Sequence, residues 1–179
     1  MVKQALLKMA LGFAFILVDV RVGKINFDLV PDIIGYILFA LAIRDLERRS
    51  ECFAKARLFN LALIVVSIFT IARVGNTPSF IGPIGYLIGL AGLILKLLVV
   101  YYLLMGTKEM LVMAGNRVLA AETDRLWLYF LILSAAGILT IFIATVPVLS
   151  VLYNLALLIL SIVLLVMITR FNMAAGDSI

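Results

Sequence analysis

Long uninterrupted runs of apolar residues dominate the chain, and short polar segments separate them. The runs do not alternate between apolar and polar positions, so they predict helices rather than half-buried strands. A helix that crosses a bilayer needs roughly 20 predominantly apolar residues. Six segments come close to this length, at about residues 5–22, 29–44, 58–74, 80–104, 126–146 and 148–169. The pattern predicts an all-α, polytopic integral membrane protein with six transmembrane helices in a single domain over residues 1–179.

The composition agrees with the bilayer as the main solvent of this chain. Hydrophobic residues make up 65% of the sequence and charged residues only 14%, whereas a soluble domain is about one quarter charged. The mean hydropathy is +1.24. So few charges cannot cover a water-exposed surface, and the backbone must then be satisfied inside helices.

An internal repeat organises the predicted helices. At an offset of 52 residues, Arg21-Val22-Gly23 aligns with Arg73-Val74-Gly75, and Pro31 aligns with Pro83. Further matches join Leu6 to Leu58, Ala10 to Ala62, Ile16 to Ile68, Leu38 to Leu90, Leu41 to Leu93 and Arg44 to Lys96. We interpret the repeat as two helical hairpins, over about 1–52 and 53–115, with the same membrane orientation. A third, diverged hairpin covers about 124–172.

Basic residues are distributed unequally between the two predicted membrane faces. The net charge is +5, and eleven of the 15 Lys and Arg residues lie near the termini or in the 44–57 and 105–125 segments. Arg21, Lys24 and Arg73 lie in the opposite loops. The positive-inside rule therefore predicts cytoplasmic N- and C-termini. No basic run is interleaved with aromatic residues, so nucleic acid is not an expected partner.

Two polar stretches keep two interpretations each. Lys96 interrupts an apolar run and aligns with Arg44 in the repeat. The alignment favours a side chain that reaches the inner membrane interface. The alternative is a lysine that lies inside the helix bundle. Residues 106–125 mix apolar and charged positions. They fit either an amphipathic helix on the inner membrane face or a solvated connection between helices.

A group of polar residues gathers at the predicted outer membrane edge. Its members come from the end of the first helix, the start of the second helix and the corner equivalent in the repeat, and they are Asp19, Arg21, Asp32, Tyr36 and Arg73. An acidic residue inside the bilayer boundary is costly unless it is paired. We expect this group to be a structural clamp or, alternatively, an outward-facing site for a small solute or lipid headgroup.

Four glycines at 3-4-3 spacing lie on one face of the predicted fourth helix: Gly82, Gly85, Gly89 and Gly92. Small residues allow helix backbones to approach closely in lipid. We interpret this face as a packing surface within the molecule. The alternatives are a dimer face and a thin wall beside a ligand cavity.

Patterns for enzyme chemistry are absent from the sequence. The chain contains no histidine and one cysteine, Cys52, and it has no nucleotide-binding or nucleophile-elbow motif. We therefore predict no catalytic residues, no metal site and no cofactor.

The stretch GFAFILVDVRVGKINFDLVPDIIGYIL, residues 12–38, carries a resemblance to a known group. A G-F-x-x-I-x-x-D-x-R helix followed by a P-D-I-I-G-Y helix start resembles small uncharacterised polytopic bacterial membrane proteins. The resemblance covers the first third of the chain and implies a bacterial plasma-membrane protein. The size and helix number are also similar to substrate-binding subunits of vitamin-uptake transporters, although no ligand motif of that family is present.

Three functional hypotheses follow from these observations. The favoured one is a subunit or small-molecule-binding component of a membrane assembly, with membrane-protein subunits or a second copy as partner. The second is an autonomous small-solute transporter or channel, and the third is an intramembrane enzyme acting on lipid. The predicted helix centres are nearly all apolar, which argues against a wide aqueous pore.

Overall fold

The computed structural model describes residues 2–17, 21–22, 27–28, 32–71, 82–142, 156, 159–160, 162–163 and 166–171. Within these residues the fold is helical apart from a two-stranded ribbon, with two residues in each strand, and the turns at 47–50 and 114–116. The elements in chain order are α1 (Val2–Leu17), β1 (Arg21–Val22), β2 (Phe27–Asp28), α2 (Asp32–Leu46), α3 (Glu51–Ile71), α4 (Gly82–Met113) and α5 (Arg117–Phe142). The described residues from 156 to 171 are also helical and are called the C-terminal helical segment here. The strands β1 and β2 pair antiparallel between α1 and α2.

Helices α1 and α2 approach each other closely because each carries a glycine at their contact. A Cβ atom on Gly35 would lie 2.8 Å from the carbonyl oxygen of Gly12, and one on Gly12 would lie 2.6 Å from the ring of Phe39. Real Cβ atoms are not found at such distances from backbone. Phe13 and Phe39 then meet edge to face, with ring centroids 4.8 Å apart. The first hairpin therefore depends on two glycines outside the predicted glycine face.

Aromatic side chains connect α4 to its two neighbours. Phe59 of α3 stacks on Tyr102 of α4, with ring centroids 5.5 Å apart, and Tyr101 meets Trp127 of α5 edge to face at 5.1 Å. Gly106 leaves room for the ring of Phe53, because a Cβ atom there would lie 2.8 Å from that ring. Helix α4 is thus held between α3 and α5 along its C-terminal half.

The 105–125 segment differs from both of its predicted forms. Helix α4 continues to Met113 and α5 begins at Arg117, so only a short turn separates them. Gly115 adopts a positive φ of 77°, and the Asn116 amide donates to the Leu111 carbonyl, which closes the end of α4. The Asn116 side chain then accepts from the amide of Leu119 and caps α5. The charges that suggested a loop belong to two helix ends.

One helix in the described part of the chain is long and apolar enough to cross a membrane. It is α4, over Leu87–Met113, with a hydropathy of 2.3. The described α1 and α2 have 16 and 15 residues, which gives lengths of about 24 Å and 23 Å. Both are shorter than the roughly 30 Å hydrocarbon core. The observed structure is thus a helical protein with one candidate membrane span.

Large apolar side chains cover much of the outer surface of the helices. Exposed examples occur on α3 (Leu58, Leu61, Val65, Ile68), on α4 (Leu87, Leu90, Ile94), on α5 (Leu128, Ile132) and on the C-terminal helical segment (Ile159, Ile162, Val163, Val166). A soluble monomer rarely exposes contiguous apolar patches on this scale. Such a surface needs lipid or another protein to cover it.

Candidate functional site

One end of the bundle holds a layer of paired charges, which we call the charged rim. It consists of Lys8, Asp45, Glu47, Arg57, Lys108, Glu109 and Asp124. Lys8 donates to Asp45 at 2.7 Å and ties α1 to the end of α2. Arg57 donates to Glu47 at 2.9 Å. Lys108 donates to both oxygens of Asp124, at 2.6 Å and 2.8 Å, and ties α4 to α5. The rim therefore links α1 to α2, the turn after α2 to α3, and α4 to α5 among the described residues.

A polar contact at the rim joins the start of α3 to α4. The Ser50 hydroxyl donates to one oxygen of Glu109, and the Cys52 thiol donates to the other at 3.4 Å. The Ser50 hydroxyl also accepts from the Cys52 amide at 3.0 Å, as an N-cap does. Glu109 thus holds two groups of the α3 N-terminus at once.

At the rim, the pKa of one group is lowered and the pKa of another is raised. A hydrogen bond from Lys8 lowers the pKa of Asp45 and outweighs the burial of the carboxyl, which acts in the opposite direction. The positive charges of Lys8 and Arg44 lower this pKa further. Burial raises the pKa of the Cys52 thiol, and the hydrogen bond and negative charge of Glu109 raise it further. Asp45 is therefore an anion at neutral pH, whereas Cys52 is a protonated and weakly nucleophilic thiol.

A buried amide links α2 and α3 farther from the rim. Asn60 is fully buried, and its Nδ2 atom donates to the backbone carbonyl of Tyr36 at 2.8 Å. Its Oδ1 atom accepts no hydrogen bond from the described residues. An unsatisfied buried polar atom costs about 1–3 kcal/mol, so Asn60 is a costly group at this position.

Lys96 also reaches across the bundle. Its Nζ atom lies 3.5 Å from the carbonyl oxygen of Ile16 in the last turn of α1. Carbonyls in a last turn have no partner within their own helix, and a cation near a helix C-terminus is favourable. This contact places the lysine inside the bundle, which is the second of the two alternatives that the sequence left open.

Tyr36, Asn60 and Lys96 lie at a similar height in the bundle, and we call them the mid-helix polar layer after the central positions of Asn60 in α3 and Lys96 in α4. Gly35 packs on Ile16, so the neighbouring Tyr36 is level with the carbonyl that Lys96 contacts. At 1.5 Å per residue, this layer lies about 12 Å from Lys8 along α1 and about 18 Å from Lys108 along α4. It is therefore separated from the charged rim by roughly half the thickness of a hydrocarbon core.

A groove of about 400 Å³ lies between α5 and the C-terminal helical segment. Glu122, Arg125 and Tyr129 line it from α5, and Ile162, Val163, Val166 and Arg170 line it from the other side. The groove therefore combines two arginines and one glutamate with an apolar wall. No described group within 4.0 Å forms an ion pair with either arginine.

Most of the predicted outer polar cluster cannot be placed. Asp19 and Arg73 lie outside the described residues. Arg21 belongs to β1, which pairs with β2, and Asp32 opens α2, but their side chains lie outside the described part. Tyr36 is described and buried, and its backbone carbonyl accepts a hydrogen bond from Asn60. The clamp at the outer edge remains a prediction.

The predicted glycine face of α4 is described at two of its four positions. A Cβ atom on Gly92 would lie 3.4 Å from Val66 of α3, whereas one on Gly89 would meet no described atom within 4 Å. Gly82 and Gly85 belong to the first turn of α4, and their surroundings lie outside the described part. Gly92 thus faces α3, and Gly89 faces no neighbour in the described part of the chain.

Two features could have been found from the sequence and were missed. Asn60 is a polar residue one turn inside an apolar run, a position where an amide usually bonds another helix. Glu122, Arg125 and Tyr129 follow one face of a helix at spacings of three and four residues, but the predicted helix boundary at about residue 126 separated the first two from Tyr129. Among the described residues, no cluster of His, Cys, Asp and Glu side chains is suited to hold a metal ion.

Comparisons with known proteins add no constraint on this arrangement. The search against protein-family models gives no match, and neither do the searches against curated proteins and solved structures. The functional conclusion therefore rests on the chemistry of the chain itself.

Proposed function

We propose that the chain is a multi-pass protein of a bacterial plasma membrane, with six spans and both termini in the cytoplasm. Two features support this placement. Exposed apolar side chains cover α3, α4, α5 and the C-terminal helical segment, and lipid is the solvent that they require. The charged rim collects at one end of the bundle, next to the basic segments that the positive-inside rule assigns to the cytoplasm.

We further propose that the protein is a subunit or small-molecule-binding component of a membrane assembly. The observation that carries this proposal is the open face of α4. Only 22% of the most apolar stretch of this helix is buried inside the protein, although α4 is the most apolar helix described. No described atom lies within 4 Å of a Cβ atom placed on Gly89, which lies between the exposed Leu87 and Leu90. A glycine on an exposed helix face allows a second helix to approach closely.

The test is a native mass spectrum of the protein purified in mild detergent from its own membrane. A complex with another subunit, or with a second copy, supports the component function. The variant Gly89→Leu fills the open face and should release the partner. Ala135→Leu is the matched control, because Ala135 is a small exposed residue on α5. A partner that persists in both variants would contradict the assignment to this face.

A transporter is the second candidate, and the mid-helix polar layer is the observation that favours it. A lysine and an unsatisfied amide at bilayer depth mark a functional position by default. Under this proposal, Lys96 and Asn60 contact a small polar solute during transport. A lone protomer that retains a small molecule in the mass spectrum, and loses it in Asn60→Leu, would support this candidate over the first.

A further inference from the structure

We propose that the groove between α5 and the C-terminal helical segment binds one anionic glycerophospholipid from the inner leaflet. The phosphodiester lies against Arg125 and Arg170, and one acyl chain follows the apolar wall. This inference rests on the proposed membrane placement and names a ligand class for a part of the fold that the component function does not use.

The lining of the groove matches the two chemical parts of such a lipid. Arg125 and Arg170 supply planar guanidinium groups, which pair with phosphate oxygens in a bidentate manner. Ile162, Val163 and Val166 form the apolar wall, and all three are exposed. A soluble anion would leave this wall in water, whereas an acyl chain covers it.

Position along the helices places the arginines at the end that faces the cytoplasm. Arg125 lies one residue beyond Asp124, whose carboxylate pairs with Lys108 in the charged rim. In the predicted third hairpin the last helix returns antiparallel to the fifth, so Arg170 lies at the same end. The apolar residue Ile162 then lies about 12 Å deeper along its helix. The lipid headgroup and the acyl chain therefore have separate binding surfaces. The headgroup surface lies at the cytoplasmic end and the acyl-chain surface lies deeper, as in the inner leaflet.

The charge balance selects an anionic headgroup over a zwitterionic one. Two arginines and Glu122 line the groove, which leaves one positive charge in excess. Neither arginine is paired to a described carboxylate, so both remain available to a phosphate. An anionic lipid with one negative charge neutralises the site, and a choline headgroup would keep the excess charge and add bulk beside the rim.

The experiment compares lipid retention by native mass spectrometry of the full chain in detergent, with phosphatidylglycerol or phosphatidylcholine added at equal concentration. We expect preferential retention of one phosphatidylglycerol. The double variant R125Q/R170Q should reduce this retention by roughly tenfold or more, because each basic residue near a lipid surface contributes measurably to anionic lipid binding. The control R48Q/R49Q removes the same charge from the exposed turn between α2 and α3 and should retain the lipid.

A second variant tests the apolar wall without a change of charge. Val163→Trp fills the groove and should reduce retention of phosphatidylglycerol while the arginines remain. Inorganic phosphate in excess should not displace the lipid. Equal retention of the two lipids, equal loss in R125Q/R170Q and its control, or displacement by phosphate would each overturn the proposal. Extraction of the wild-type chain from membranes by alkaline carbonate would instead contradict the membrane placement, so the two failures are distinguishable.

Discussion

The two hairpins that the repeat aligns have matching sequences and different surroundings. In the first hairpin, Leu6 and Ile16 are buried, whereas their equivalents Leu58 and Ile68 in the second are 68% and 53% exposed. Arg44 lies near the end of α2, but its equivalent Lys96 is followed by 17 more residues of α4. Similar sequences therefore form similar helices in the two hairpins. The burial of equivalent side chains differs, because it depends on which helices pack against each hairpin.

The largest expected effect comes from the glycine contact of the first hairpin. Gly35→Ala should lower the free energy of unfolding by about 1–3 kcal/mol, because the new methyl group meets the Gly12 backbone. Gly89→Ala, the control in α4, should leave stability unchanged or raise it by up to about 1 kcal/mol. Thermal unfolding in detergent measures both. Equal effects would mean that the two hairpins do not differ in packing.

The pair Lys96 and Arg44 tests whether repeat-equivalent cations have different roles. Lys96→Met should lower stability by about 1 kcal/mol, because the α1 C-terminus loses a cation at its last turn. Arg44→Met should change stability by less than about 0.5 kcal/mol, because Arg44 is largely exposed. Chemical unfolding of both variants in the same micelle provides the comparison. A larger loss in Arg44→Met would contradict the interior position of Lys96.

The first hairpin should also lose stability in acid through Asp45. Lys8 holds the folded-state pKa of this carboxyl below its unfolded value. The contribution is therefore present above about pH 3.9 and is lost as the pH falls through the lowered pKa. Removal of the pair should cost up to about 1 kcal/mol. As the pH falls, the free energy of unfolding should decrease less steeply in Asp45→Asn than in the wild type. Parallel curves would exclude the Lys8–Asp45 pair as a cause of the acid sensitivity.

The smallest expected effect concerns the thiol of the second hairpin. Glu109→Gln should remove the negative charge that, together with burial, raises the pKa of Cys52, and the burial of the thiol should stay unchanged. The rate of Cys52 alkylation at pH 8 should then rise, because a larger fraction of the thiol is ionised. Glu47→Gln removes another rim carboxylate that does not contact Cys52 and serves as the control. Unchanged rates in both variants would contradict the assigned contact.

The all-α class and the helix order could be predicted from the sequence, because apolar runs and turn residues are local signals. Helix ends were harder to predict. The charges at 51–57 were assigned to a loop, and those at 106–125 to either an amphipathic surface helix or a solvated connection. They instead extend α3, α4 and α5, and ion pairs between helices such as Lys108–Asp124 hold them at the rim. The composition of a segment does not show whether its charged side chains form ion pairs with another helix.

The candidate sites show the same limit of sequence reasoning. The outer cluster that includes Tyr36 stays a prediction, whereas the hydrogen bond from Asn60 of α3 to the Tyr36 carbonyl was not predicted. The two residues are 24 positions apart, and no sequence pattern indicates a contact across that separation. Lys96 was interpreted through its alignment with Arg44, and a helix twice as long as α2 places it elsewhere. The contacts of Tyr36 and Lys96 both depend on the position of the residue in the bundle rather than on its type.

The most direct test of the account is the membrane side of the turn between α4 and α5. The variant A114C in a Cys52→Ser background places one cysteine at the exposed position 114, next to the charged rim. A membrane-impermeant maleimide should label it only after the cells are permeabilised, whereas N76C in the predicted outer loop should be labelled in intact cells. Labelling of A114C in intact cells, or equal protection of both cysteines, would contradict a multi-pass protein with its rim in the cytoplasm.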